Sequence, residues 1–576
     1  MKVRLAKTAG FCMGVRRAME IVLAEANKNK GPIYTYGPLI HNSQVLDLLE
    51  SKAVHTLEDI SGIQEGTLVI RAHGIPPQQR KLLKASPLRI IDATCPRVAR
   101  VQAIIRYHTH KGYTAAIVGD RDHPEVIGLM GYGNDRSFVI NTPEEAALLP
   151  ETDRLIVVAQ TTQDEKNFRE VVHEIKKHYP EALIFDTICD ATHSRQDEVK
   201  AFAGHVDGVV VVGGFHSGNT RRLVQVAESS GLPSFHVETE EELKREKLAS
   251  MKVVGVTAGA STPNWMIRNV VKEIESIQSR GESFWRRWVV KGLKILLLSN
   301  VVVAFGALSL AYATAVLSER KPDLIHPVLA LLYIHAMHVL NRFLDKGAST
   351  YNDPERAQFY RRHKILLILS GIVTTLGALF LSYTLGMTVF LAMTGLSILG
   401  IIYSIPIVPI SRRHLWRYSK IKDIPGSKTL SEALAWGAVI ALLPLLEPQS
   451  VHPGATLVSF LFVFAVVYTR SALFDIFQVQ GDLIVGVETL PITLGEKRTL
   501  LFLKGVLITA GIILLAAFLS GLAGPFALLM LLCLGSLSLS LLTYEKRWLY
   551  PGTRLEALVE ASFFLAGLLA LVWNAF

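Results

Sequence analysis

The feature that most restricts this chain is a set of long uncharged runs in its second half. Residues 295–318, 365–411, 448–469 and 505–544 contain no Asp, Glu, Lys or Arg over 24, 47, 22 and 40 positions. One helix needs about 20 apolar residues to cross the hydrocarbon of a bilayer. The 47- and 40-residue runs therefore each predict a hairpin of two spans, broken around Leu385 and Gly386 and between Gly521 and Pro525. Shorter apolar runs at 324–341, 429–446 and 555–576 bring the expected count to about nine transmembrane helices. Residues 1–279, in contrast, read as an ordinary charged α/β domain. A basic linker, 280–294, joins it to an all-α membrane domain, 295–576.

The net charge of +10 follows this division. Segments 280–294, 342–364 and 412–428 carry net +4, +3 and +5, and with nine spans all three fall on the side of the amino-terminal domain. Basic loops stay in the cytoplasm. The expectation is a multi-pass protein of the inner (cytoplasmic) membrane, its first domain cytoplasmic and its carboxyl terminus outside. The basic character is thereby topological, and a nucleic-acid partner loses its main support. The start, MKVRLAKTAGFCMGV, lacks the apolar core of a signal peptide.

Of four cysteines, Cys533 lies in an apolar run and reads as a small buried hydrophobe. Cys12, Cys95 and Cys189 each follow a strand-like run and precede a helix-like segment, which predicts three βα modules of roughly 90 residues, each placing one thiol at a strand end. An odd number in a reducing compartment argues against disulfides. Strand ends that feed helix N-termini gather ligands and favour thiolate. Three converging thiolates suit zinc with one further ligand or a 4Fe–4S cluster with one open iron, the alternative being three unrelated buried cysteines.

The segments FCMGVRRA, GPLIHN, RAHGIPP, DATCP, DHPEVIG, QTT, DTICDATHSRQ, GGFHSGNTRRL and TAGASTP occur in this order. They resemble the 4-hydroxy-3-methylbut-2-enyl diphosphate reductases, which end the methylerythritol phosphate route of isoprenoid synthesis. The resemblance implies a pseudo-threefold α/β fold in which Cys12, Cys95 and Cys189 hold a 4Fe–4S cluster that takes the substrate hydroxyl. It implies Glu125 as proton donor, with Thr161 or Thr162 near the reacting hydroxyl. His41, His73, His123, Ser217, Asn219 and Ser261 match diphosphate-binding positions. Gly218 stands where many relatives have a serine, which predicts weaker diphosphate contacts through its backbone amide alone. No dinucleotide fingerprint follows a strand, so a ferredoxin- or flavodoxin-like protein is the expected electron donor. His108, His110, His173, His178 and His205 carry no such match.

In the membrane half, LNRFLDKGASTYNDPERAQFY and ALFDIFQVQGDLIVGVETLPITLG place acidic residues at the ends of two spans on the same expected side. With YSIP at 403–406 and KIKDIPGSK at 420–428, they resemble the intramembrane UbiA-type prenyltransferases. That resemblance implies Mg²⁺ at Asn341, Asp345, Asp475 and Asp482, and phosphate contacts from Lys420, Lys422 and Lys428. The ligands would be a prenyl diphosphate and a lipophilic acceptor. The pattern departs at Gln478 and Ser349, where acidic residues are usual, with Asn352 and Asp353 as substitutes. An inactive anchor and a transporter are the alternatives. His326, His335 and His338 on the second span read as packing residues rather than haem ligands.

Overall fold

The computed structural model describes residues 1–576 apart from 29–30, 278–283, 345–351, 405–423, 425, 448–451, 486, 550 and 576. The chain divides into two compact units, Met1–Glu282 and Ser283–Phe576.

Among its described residues the first unit contains twelve strands: β1 (Lys2–Leu5), β2 (Ile33–Tyr36), β3 (Val54–Leu57), β4 (Thr67–Ile70), β5 (Arg89–Asp92), β6 (Thr114–Val118), β7 (Ser137–Ile140), β8 (Leu155–Ala159), β9 (Leu183–Phe185), β10 (Gly208–Val212), β11 (Ser234–Val237) and β12 (Val253–Ala258). They form three four-stranded sheets, ordered β1-β12-β10-β11, β3-β2-β4-β5 and β7-β6-β8-β9. Every pairing is parallel. The inner strands TAAIV, LIVVA and GVVVV are buried at every position, as expected where helices cover both faces of a parallel sheet.

The three sheets share one plan. Read from the cysteine-bearing edge, β1-β12-β10-β11 corresponds to β5-β4-β2-β3 and to β9-β8-β6-β7. Two modules are continuous in sequence; the third is built from β10 to β12 and closed by β1, whose Lys2 pairs with Val253. The three expected modules are present, each with a cysteine after its edge strand, but the one holding Cys12 is discontinuous: the strand before Cys12 completes a sheet made by the end of the unit. Nothing local in KVRL specifies a partner some 250 residues away.

In the second unit, each of the nine segments expected to span falls on a helix. By length and composition, six of the described helices can cross a membrane: Lys364–Leu385, Ser427–Leu446, Pro453–Val485, Glu496–Leu519, Phe526–Glu545 and Thr553–Ala575. A seventh arises if Lys291–Leu298 and Val301–Leu317, bent by 74° at their junction, act together. Among the described residues the candidate spans thus number six or seven, against the nine expected. Ile325–Leu344 is diluted by three histidines, an asparagine and an arginine, and Met387–Tyr403 is short. Part of the expected linker is itself helical, Phe284–Leu298. The two expected hairpin breaks occur at Gly386, where φ is +135°, and around Gly521, where φ is +72°. Cys533 is fully buried, its thiol donating to the Ser562 carbonyl at 3.2 Å.

Candidate active sites

β1, β5 and β9 each hand the chain to a helix whose N-cap is a cysteine: Cys12 before Met13–Ala26, Cys95 before Pro96–Thr109, and Cys189 before Asp190–Lys200. Each cysteine amide donates to a carbonyl just past the neighbouring inner strand. Cys12 reaches Ala260 beyond β12 at 3.1 Å, Cys95 reaches Ala72 beyond β4 at 2.9 Å, and Cys189 reaches Thr161 beyond β8 at 2.9 Å. All three thiols line one cavity, with about 780 Å³ of non-protein space, part of it open to solvent. Close approach demands a glycine beside them, since a Cβ on Gly14 would lie 2.5 Å from the Cys95 sulfur. Burial pushes the Cys95 and Cys189 thiols up; backbone N–H groups of the helices they cap pull the other way, and the neighbouring Cys12 thiol adds to the rise.

The polar residues of the cavity obey the same symmetry. The residues immediately after those three carbonyls are Ser261, His73 and Thr162. Five positions past the other inner strands, β10, β2 and β6, stand Ser217, His41 and His123. The imidazoles of His41, His73 and His123 cluster, with ring centres 4.7, 5.6 and 5.4 Å apart, and one ring nitrogen from each lies within 4.8 Å of the others. Burial lowers all three, His123 to about 4; Arg71 adds to each, as does repulsion from the neighbouring rings at His73 and His123 and from His216 at His41. They are neutral near pH 7. His123 Nδ1 accepts from the Glu125 amide at 3.1 Å, which places the proton of the neutral ring on Nε2. His41 Nε2, His73 Nδ1 and Asn219 Nδ2 are buried without a hydrogen-bond partner.

Glu125 is 2% exposed. Its carboxylate accepts from the Thr161 amide at 2.7 Å and the Thr161 hydroxyl at 2.8 Å. Burial raises its pKa against those two hydrogen bonds. The Thr161 carbonyl meanwhile receives the Cys189 amide and, at 3.1 Å, the Thr192 hydroxyl, so the acid is tied to a cysteine-bearing helix. The Thr162 hydroxyl accepts from Gln160 at 3.0 Å.

Two arginines escaped the sequence reading. Arg195, six residues beyond Cys189 and 3% exposed, donates to the Gly10 carbonyl at 2.6 Å and the Ala191 carbonyl at 3.0 Å, tying the Cys12 loop to the Cys189 helix. Arg222 pairs with Asp120 at 3.1 Å and donates to the Thr162 carbonyl. Both lie inside the recognised blocks THSRQ and NTRRL, and an arginine inside a ligand-bearing block was the available signal.

In the second unit, Asp475 and Asp482 sit on one helix, Pro453–Val485, which continues past the expected end of its span. Lys428 pairs with Asp475 at 2.7 Å, and the Asn352 amide donates to Asp482 at 2.7 Å. Asn341 lies in the last turn of the helix Ile325–Leu344; Asp345, Lys420 and Lys422 lie outside the described residues. A second cluster was not foreseen: buried Arg470 binds Glu560 at 2.6 Å and Glu432 at 2.9 Å beneath Trp436, Phe474 and Phe563. The three histidines are dispersed among Asp323 and Glu447 (His326), Ser370 (His335) and Glu432 (His338).

Residues 3–275 match the family described as LytB protein, and residues 300–568 the UbiA prenyltransferase family. The 4-hydroxy-3-methylbut-2-enyl diphosphate reductase of Geobacter sulfurreducens is 43% identical over 280 residues, covering 49% of this chain and 99% of that one. A solved (E)-4-hydroxy-3-methyl-but-2-enyl diphosphate reductase is 41% identical over 48% of this chain and all of that one, with a TM-score of 0.40. A UbiA homolog from Archaeoglobus fulgidus, solved with DMAPP and Mg²⁺, is 17% identical over 48% of this chain and 98% of that one, with a TM-score of 0.34. The chain belongs to the 4-hydroxy-3-methylbut-2-enyl diphosphate reductase family through its first unit and carries a UbiA-family domain in its second.

Proposed function

We propose that the first unit reductively removes the allylic hydroxyl of 4-hydroxy-3-methylbut-2-enyl diphosphate, giving isopentenyl and dimethylallyl diphosphates. The observation that carries this is one cavity lined by three cysteines at helix N-cap positions beside three buried nitrogens, His41 Nε2, His73 Nδ1 and Asn219 Nδ2, without a hydrogen-bond partner. Buried donors left unpaired are costly, and a diphosphate supplies the missing acceptors. Cys12, Cys95 and Cys189 would hold the 4Fe–4S cluster. All three thiols face the same cavity, as a cluster with one open iron requires. When bound, the cluster supplies electrons and a Lewis-acidic iron for the departing oxygen.

The chain's own residues do the rest. The imidazoles, with Ser217, Asn219, Ser261 and the Gly218 amide, bind and orient the diphosphate. The reaction breaks the C–O bond, takes up two electrons and two protons and releases water. Glu125, kept protonated more readily by burial, delivers a proton, and Thr161 fixes its carboxyl. A ferredoxin- or flavodoxin-like protein supplies the electrons. Anaerobic purification tests the proposal: a brown, iron-containing protein that consumes substrate with reduced viologen is expected, and a colourless zinc protein overturns it.

For the second unit we propose Mg²⁺-assisted transfer of a prenyl group from its diphosphate to a lipophilic acceptor, from a multi-pass inner-membrane domain of up to nine spans with the reductase in the cytoplasm. Its support is the family match and the acidic residues gathered at one end of a long helix. Labelled prenyl diphosphates, offered with lipid and quinone-precursor acceptors to wild type and Asp482→Asn, decide it. Failure of every acceptor favours an anchoring role.

A further inference from the structure

The UbiA-type reading requires carboxylates able to receive divalent cations, and Asp475 does not fit that role. Its side chain is 1% exposed, and both oxygens are engaged: Oδ1 accepts from the Lys428 ammonium at 2.7 Å, Oδ2 from the Thr429 hydroxyl at 2.8 Å. Lys428 and Thr429 sit in the first turn of the helix Ser427–Gly437, whose start packs against the helix bearing Asp475. A divalent cation at Asp475 would have to displace the ammonium or sit beside a like charge. Three residues on, where a further carboxylate would help recruit metal, stands neutral Gln478. The two departures support one another, since a site that keeps a fixed ammonium has less need of a second acid.

We propose that Lys428 replaces a divalent cation at Asp475, so that the prenyl-diphosphate site of the second unit assembles with one metal ion, on the Asp482 side, instead of two. This rests on the reading of that unit as a metal-dependent diphosphate site. The ammonium neutralises Asp475 and remains 39% exposed at the site. A fixed cation stabilises departing diphosphate as a metal would. The consequence is a site whose metal count is set by a lysine on the neighbouring helix.

The test counts Mn²⁺ bound per full-length chain in lipid nanodiscs with geranyl diphosphate present, read by electron paramagnetic resonance as differences between variants, so that ions bound elsewhere cancel. Asp475→Asn should lose no Mn²⁺ relative to wild type, and Lys428→Gln should gain one, which Lys428→Gln/Asp475→Asn loses again. Loss of an ion in Asp475→Asn overturns the proposal, as does a folded Lys428→Gln that gains none. If Lys428→Gln fails to fold, the Asp475→Asn comparison decides alone. Asp482→Asn tests the underlying reading separately: if it loses no ion, the unit is not a metal-dependent diphosphate site.

Discussion

Thr161 grips Glu125 twice, its amide on one carboxylate oxygen at 2.7 Å and its hydroxyl on the other at 2.8 Å. Burial raises the carboxyl pKa, so the folded state holds this proton more tightly than the unfolded chain. Its contribution to stability is therefore full below the ordinary carboxylate range and lost as pH rises through the folded pKa. Glu125→Gln should lower turnover by about 10²- to 10⁴-fold with little change in substrate affinity, while raising the melting temperature of the reductase unit near pH 8. Kinetics and calorimetry on the same sample check both.

The histidine cluster predicts the opposite dependence at acid pH. His123 is lowered from 6.5 to about 4, so stability is complete above the unfolded value and falls as pH drops from about 6.5 to about 4. At about 1.4 kcal/mol per unit, this one group accounts for at most roughly 3 kcal/mol. Pyrophosphate should offset the loss, because an anion at the ring edges favours imidazolium. Unfolding titrations at pH 7 and pH 5, with and without pyrophosphate, should diverge accordingly; His123→Asn should flatten the difference.

Gly218 leaves room for a side chain, the nearest atom to a Cβ being Asp120 Oδ2 at 3.9 Å. Gly218→Ser should fold normally and lower the KM for the diphosphate substrate, about 5-fold for one added hydrogen bond of roughly 1 kcal/mol. A rise in KM would mean that the glycine is required.

In the second unit, Arg470 holds two carboxylates, Glu432 and Glu560, in a buried setting. Arg470→Leu should destabilise by about 3–5 kcal/mol because both charges lose their partner. The triple change Arg470→Leu, Glu432→Leu and Glu560→Leu should recover most of that. Unfolding in mixed micelles would measure each.

Span number also has a direct readout. With the amino terminus inside, an odd count places a periplasm-dependent reporter fused after Phe576 in its active location, and the six clear candidates alone would leave it silent.

The site was legible in the sequence to the extent that its parts are local. A cysteine between a strand-like run and a helix-like run announces an N-cap thiol, and Cys12, Cys95 and Cys189 occupy those positions. What could not be read was non-local. The pairing of β1 with β12, the bridging by Arg195 between two cysteine loops, and the clasp of Lys428 on Asp475 join segments whose patterns do not mention one another. In the second unit the charges of Glu432, Arg470 and Glu560 beside apolar runs were visible, but their mutual solvation depends on helix packing.

The closure of the third sheet by β1 also fixes an order of events during synthesis. KVRL leaves the ribosome some 250 residues ahead of its partner VVGVTA, which is among the last segments of the reductase unit. Cys12 therefore waits for nearly the whole unit to emerge before its loop can take shape. When β12 finally appears, the helix Val301–Leu317 follows only some 40 residues behind. Completion of the thiol cavity and delivery of the chain to the membrane insertion machinery thus fall at almost the same moment of translation.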